Sequence, residues 1–200
     1  MKICKLLLAA VGATVLLGAL VSTASAGRLE ISTKEISSMW RSVEFEGAFG
    51  ISTRCQVTLD STLHERTMVK RLGTLMGYIT RAFLGTCSSG SATILTETLP
   101  WHVKYSGFSG TLPNITSIIV HVIGSSFRIR EAGGITCLAR TETNRPATGT
   151  FHRNTSTHFL TEVGIGGTIP TSCGPEGTFS SDSGPISVSS SSSTISVSLI

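Results

Sequence analysis

Apolar residues at every second position, in one short segment after another, constrain this chain more than any other feature. In ITSIIVHVI (115–123), Ile115, Ser117, Ile119, His121 and Ile123 share one face of an extended chain, and Thr116, Ile118, Val120 and Val122 share the other. Apolar side chains on both faces predict a central strand covered on both sides. Residues 43–46, 51–59, 92–99, 103–108, 126–130, 135–140 and 158–163 are also short and rich in β-branched or aromatic residues. Residues 127–140 read as a hairpin turning at Gly133 and Gly134, which adopt turn conformations that other residues resist. The end of the chain, ISVSSSSSTISVSLI, keeps an apolar phase that a disordered serine tail has no reason to keep. Ile186 and Val188 alternate with Ser, and so do Ile195, Val197 and Leu199. That pattern predicts a terminal hairpin or one long bent strand completing the sheet, apolar face inward.

One segment departs from period two. In RTMVKRLGTLMGYITRAF, Met68, Val69, Leu72, Leu75, Met76, Ile79 and Phe83 recur at steps of three and four, the spacing of one helical stripe. The expectation is therefore a single amphipathic helix over about 66–82, packed on a sheet. Gly73 and Gly77 each weaken it by up to about 1 kcal/mol relative to Ala. With that helix, the fold class reads as mainly β: a disulfide-stapled antiparallel sandwich or open barrel.

The first 26 residues belong to a different class of segment. Lys2 and Lys5 precede an apolar run from Leu6 to Val21, and Ala24-Ser-Ala26 supplies the small residues that a signal peptidase requires. The expectation is a signal peptide (1–26) cleaved after Ala26, then a single secreted β-rich domain (27–200) without a transmembrane segment. Cys4 lies in the cationic head, the wrong place for lipid attachment. Loss of Lys2 and Lys5 leaves 14 basic residues against 12 acidic, so the formal charge falls from +4 to about +2. So small a surplus gives no footprint for nucleic acid. The cluster Arg66, Lys70, Arg71 and Arg81 reads first as a solvated helix face. Charged residues make up only 14% of the chain, against roughly 25% in typical soluble domains. Solvent-facing strand positions are instead mostly Ser and Thr.

Four cysteines remain after the leader: Cys55, Cys87, Cys137 and Cys173. An even number in an exported chain reads as two disulfides with three possible connectivities. Sequential closure, Cys55 with Cys87 and Cys137 with Cys173, makes two separate loops and is favoured. A loop of about thirty residues restricts the unfolded chain by roughly 3–4 kcal/mol. With no C-x-x-C pair, and with His64, His102, His121, His152 and His158 at no ligand spacing, no metal or other cofactor is expected.

The sequence carries little sign of catalysis. SSDSGPISV resembles the GDSGGP segment of trypsin-like proteases around Asp182, Ser183, Gly184 and Pro185, but Ser181 replaces the first glycine and the second of the glycine pair is missing. The only aspartates after the leader are Asp60, which precedes every histidine, and Asp182, which adjoins Ser183 itself, so no separate aspartate stands between a histidine and Ser183 to orient the imidazole in that protease order. Glu44, Glu46, Glu97 and Glu131 show no pairing that would suit glycoside hydrolysis. His64-Glu65-Arg66 reads as a solvated helix entrance. The most individual stretch is TLPWHVKYSGFSGTLPNITSI. There Trp101, His102, Tyr105 and Phe108 form a candidate binding surface for a sugar face or a protein, although alternation also allows Trp101 and Tyr105 to point into the core. Asn114 and Asn154 stand in N-glycan acceptor patterns, which matter only in a host that glycosylates.

Through CQVTLDSTLHERTMVKRLGTLMGYITRA, ATILTETLPWHVKYSGFSGTLPNITSI, CLAR and the final ISVSLI, the chain resembles a group of uncharacterised small secreted proteins from soil actinobacteria. The resemblance implies an exported, β-rich, disulfide-bearing protein and carries over no catalytic or binding residue. The functional expectation is a non-enzymatic extracellular or cell-envelope binding module whose partner is cell-wall polysaccharide or a protein. A secreted hydrolase and a secreted protease inhibitor are the alternatives.

Overall fold

The computed structural model describes residues 27–47, 52–88, 90–130, 134–181, 184–187 and 194–200. Residues 1–26, Glu131, Asp182, Ser183 and Val188 lie outside them. The described chain forms β1 (Arg28–Ile31), β2 (Glu35–Glu46), β3 (Ser52–Leu63), β4 (Thr67–Val69), β5 (Leu75–Cys87), β6 (Ser91–Ile94), β7 (Trp101–Thr111) and β8 (Asn114–Ile123). Then come β9 (Ser126–Arg130), β10 (Thr136–Arg140), β11 (Ala147–Arg153), β12 (Leu160–Thr171), β13 (Gly174–Ser181), β14 (Gly184–Ser187) and β15 (Val197–Leu199), with one 3-10 turn at Thr96–Thr98. The hairpin expected over 127–140 is present as β9 and β10, with Gly134 at a φ of 82° entering β10.

Most of these strands form a ring. β2, β3, β5, β7, β8, β11 and β12 each pair antiparallel with the next of that series. β13 and β14 together fill the place between β12 and β2. The two lie on one line: Thr178 faces Glu46, Ser181 faces Val43, and β14 continues with Ile186 opposite Ser38. Among the described residues this is an up-and-down barrel of eight staves, counting β13 and β14 as one, and the β11–β12 pairing closes it. Closure removes the free edges that an open barrel or a two-sheet sandwich would leave.

Period two sorts the side chains. Along β2, Ile36, Ser38, Trp40, Val43 and Phe45 are buried, while Glu35, Met39, Arg41 and Glu46 are exposed. The step from Trp40 to Val43 crosses a bulge that turns both Arg41 and Ser42 outward and restores the phase. The outer surface carries Thr58, Asp60 and Thr62 from β3, with Asp60 accepting a hydrogen bond from Ser37 at 2.7 Å and pairing with Arg81 at 3.1 Å. Polar outside and apolar inside is the reverse of a lipid-facing barrel. No helix among the described residues is long and apolar enough to cross a membrane.

Both mouths are covered. At one, β10, β9 and β6 form an arm running from β12, and Phe127 of β9 packs 5.4 Å from Phe45 and 5.5 Å from Trp101, ring centre to ring centre. At the other, β15, β1 and β4 form a three-stranded sheet whose Leu29, Ile31, Met68 and Val197 are buried. The buried guanidinium of Arg153 donates to the carbonyls of Val197 and Ile115 at 3.0 and 2.9 Å, joining this sheet to the barrel wall. Two disulfides hold the described chain: Cys55–Cys87 bridges the neighbouring staves β3 and β5, and Cys137–Cys173 ties β10 to the turn between β12 and β13.

The helix expected over 66–82 is not there; the segment is β4, a turn and most of β5. Gly73, with a φ of 77°, turns the chain between the two strands. Val69, Leu72 and Phe83 are exposed, so the supposed stripe does not share one face. The three-residue rhythm comes from a bulge instead. Opposite Asp60 and Ser61, β5 carries one extra residue, so Thr80 and Arg81 both face water and the inward positions step from Ile79 to Ala82. The C-terminal alternation is likewise divided: β14 completes the barrel, whereas β15 pairs with β1 in the end sheet. Among the described residues these two halves pair with different strands and not with each other.

Candidate functional site

The sequence-predicted surface does not assemble. Trp101, Val103 and Tyr105 point into the barrel, with Trp101 at 1% and Tyr105 at 4% exposure, because alternation and core burial claim that face of β7. The indole Nε1 of Trp101 donates to Thr98 Oγ1 at 2.8 Å. Burial pushes the Tyr105 phenol up from its ordinary pKa. His102 faces outward, and Phe108 is half-buried beside the core. The exposed aromatic row is a different one: Tyr78 packs edge-on between His64 at 4.9 Å and His102 at 5.2 Å.

The candidate site lies within the ring. An internal cavity of about 50 Å³ is walled by Ile79 of β5, Val103 of β7, Val120 and Val122 of β8, Phe151 of β11, and Val163 and Ile165 of β12, with Ile31 of the end sheet facing it. Gly149 lets Val120 pack close there: a Cβ on it would lie 3.0 Å from Val120 Cγ2. Ser61 and Tyr78 are the only residues of the lining with polar side-chain atoms, and the Tyr78 ring is engaged on the outer face. Eight staves leave an interior wide enough for packed side chains or one small ligand. A dry apolar cavity of roughly 150 Å³ takes benzene, so the present space accepts about a third of that volume.

Other chemistry-bearing groups stand apart from this cavity. Ser106 Oγ lies 3.0 Å from His121 Nε2 on the outer face, where Ser106 is the extra residue of a β7 bulge. His121 is flanked across the ladder by Lys104 and Thr148, so neither neighbouring stave offers a carboxylate level with it to orient the ring. Ser42, Glu44, Arg54, Ser180 and Ser181 line a polar hollow of about 210 Å³ outside the barrel. Hydrogen bonds from Ser52 and Arg54 lower the Glu44 carboxyl below its ordinary pKa. Glu44 is therefore an ion-paired anion rather than a proton donor. Among the described residues no three His, Cys, Asp or Glu side chains gather as a metal site.

The remaining motifs are dispersed. Arg81 is paired with Asp60, Arg66 and Arg71 are exposed, and Lys70 folds over the Phe108 ring, so the basic residues form no helix face. Asn114 is exposed at the β7–β8 turn, and Asn154 Oδ1 accepts the backbone N–H groups of Ser156 and Thr157. The protease-like Asp182 and Ser183 lie outside the described residues. Sequence reasoning missed the cavity because its walls are ordinary alternating valines and isoleucines. Only the ring closure brings them around one space. Comparison of the chain with protein-family models, curated proteins and solved structures gives no match.

Proposed function

We propose that this chain is an exported, non-enzymatic binding protein that takes the apolar end of a small ligand inside its barrel. The observation that carries the reading is the cavity, walled by aliphatic and aromatic side chains from β5, β7, β8, β11 and β12. Apolar walls gain from any apolar group that replaces empty space, and the lining offers little to hold water. Two disulfides support export into an oxidising compartment, the route suggested by the processing pattern ending at Ala26. The polar exterior suits a protein that carries its ligand through an aqueous space.

Calorimetric titration of the purified protein with hexanol at several temperatures tests this reading. The expected result is saturable one-to-one binding with a negative heat-capacity change, the mark of buried apolar surface. Absence of binding, combined with retention on cell-wall polysaccharide, would replace the interior site with an outer-surface one.

A further inference from the structure

Lys70 is a half-buried residue whose ammonium has no hydrogen-bond partner among the described residues. It follows β4 in the end sheet, and its Nζ is shielded from solvent and makes no hydrogen bond to any described residue. Its backbone is fixed: Lys70 N–H donates to the Gly27 carbonyl at 3.2 Å. The following turn is pinned to β7 by Gly73 N–H on the Tyr105 carbonyl and Tyr105 N–H on the Thr74 carbonyl, each at 2.8 Å. The ammonium lies 5.8 Å from the centre of the Phe108 ring, whose face gives it only a weak attraction. A shielded charge without an anion is costly, and the usual remedy is an opposite charge brought to it.

The position of Lys70 is as informative as its isolation. Phe108 pairs across the ladder with Ile118, and Ile118 lines the cavity. The neighbours Lys70, Phe108 and Ile118 thus run from an unsatisfied cation to an apolar space. A ligand matching both has a carboxylate head and an aliphatic chain.

We infer that the barrel takes an aliphatic carboxylate, its chain in the cavity and its carboxylate on Lys70. This rests on the interior being a ligand site, as proposed above, and adds the class of ligand. The cavity as it stands receives the end of the chain, Phe108 and Ile118 line its path, and the carboxylate supplies the hydrogen bonds that Lys70 Nζ lacks. Association is non-covalent and leaves the acid unchanged.

Paired titrations with hexanoate and hexanol separate the two claims. Hexanoate is expected to bind more tightly than hexanol. Lys70→Met should weaken hexanoate by about tenfold or more, the loss of a charge-assisted hydrogen bond, and leave hexanol unchanged. Lys70→Arg should retain hexanoate. Where the methionine variant fails to fold, Lys70→Gln carries the same expectation. If hexanol binds as tightly as hexanoate, and neither ligand responds to Lys70→Met, the carboxylate inference is overturned while the interior site stands. If neither ligand binds the unaltered protein, both are overturned.

Discussion

At the scale of single residues, the inner wall joins stability and binding in opposite directions. Ile79 is buried and lines the cavity. Truncation to Ala should cost about 2–4 kcal/mol in stability, since the space it leaves cannot fully collapse in a closed barrel. The same change should admit larger apolar probes, so denaturant unfolding and probe titration on Ile79→Ala are expected to move opposite ways. Tyr105 gives a pH signature. Burial raises its folded pKa above the ordinary phenol value, so its contribution is fully present below about pH 10 and is lost as pH rises through the folded value. The melting temperature should therefore fall at alkaline pH, and Tyr105→Phe should flatten that limb; an unchanged alkaline slope in the variant would show that another group controls it.

At the scale of elements, the disulfide between β3 and β5 closes a loop across 32 positions of sequence. Replacing both Cys55 and Cys87 by Ala should lower stability by about 3–4 kcal/mol, because the unfolded chain regains the freedom the bridge removes. Denaturant midpoints of the bridged and unbridged proteins check this. Elements were also where the sequence was most and least legible. Strand β8 could be read from the alternation of Ile118, Val120 and Val122, which are buried together while Ile119, His121 and Ile123 are half-buried; near its start the extra residue Thr116, opposite Ser109 and Gly110, breaks the phase and leaves Ile115 and Ser117 buried as well. Strand β5 could not, because the extra residue at Thr80 and Arg81 shifts its inward positions from steps of two to a step of three. A bulged strand and an amphipathic helix then share one pattern, and only the partner strand separates them. At Trp101 and Tyr105 the alternation was plain, yet it left open which face would be inside. Ring closure decides this, and it turns both residues away from the surface they were expected to form.

At the scale of the molecule, the barrel is covered at both mouths by segments that interrupt its meander. The arm of β6, β9 and β10 presses Phe127 against Phe45 and Trp101, while the end sheet is held to the wall by Arg153. Arg153→Met would leave the carbonyls of Val197 and Ile115 without this donor. Loss of these hydrogen bonds to a charged group should destabilise the protein by about 2–3 kcal/mol. Hydrogen exchange should speed up in β1 and β15 before it does in β2 and β3; uniform acceleration would mean that the end sheet does not open as a unit. That end also holds Lys70, so the same loosening should hasten ligand exchange.

The site itself was invisible in the sequence, since no single strand contains it and its lining residues are those of any core. The central claim is that the apolar end of a small ligand occupies the space inside the ring, and methyl-resolved NMR during titration with hexanol tests it most directly. The account predicts saturable shifts at the methyl groups of Ile79, Val120, Val163 and Ile165, with the exposed methyl groups of Val69 and Leu72 unmoved. Shifts confined to exposed methyl groups, or none at the inner wall at saturating hexanol, would contradict it.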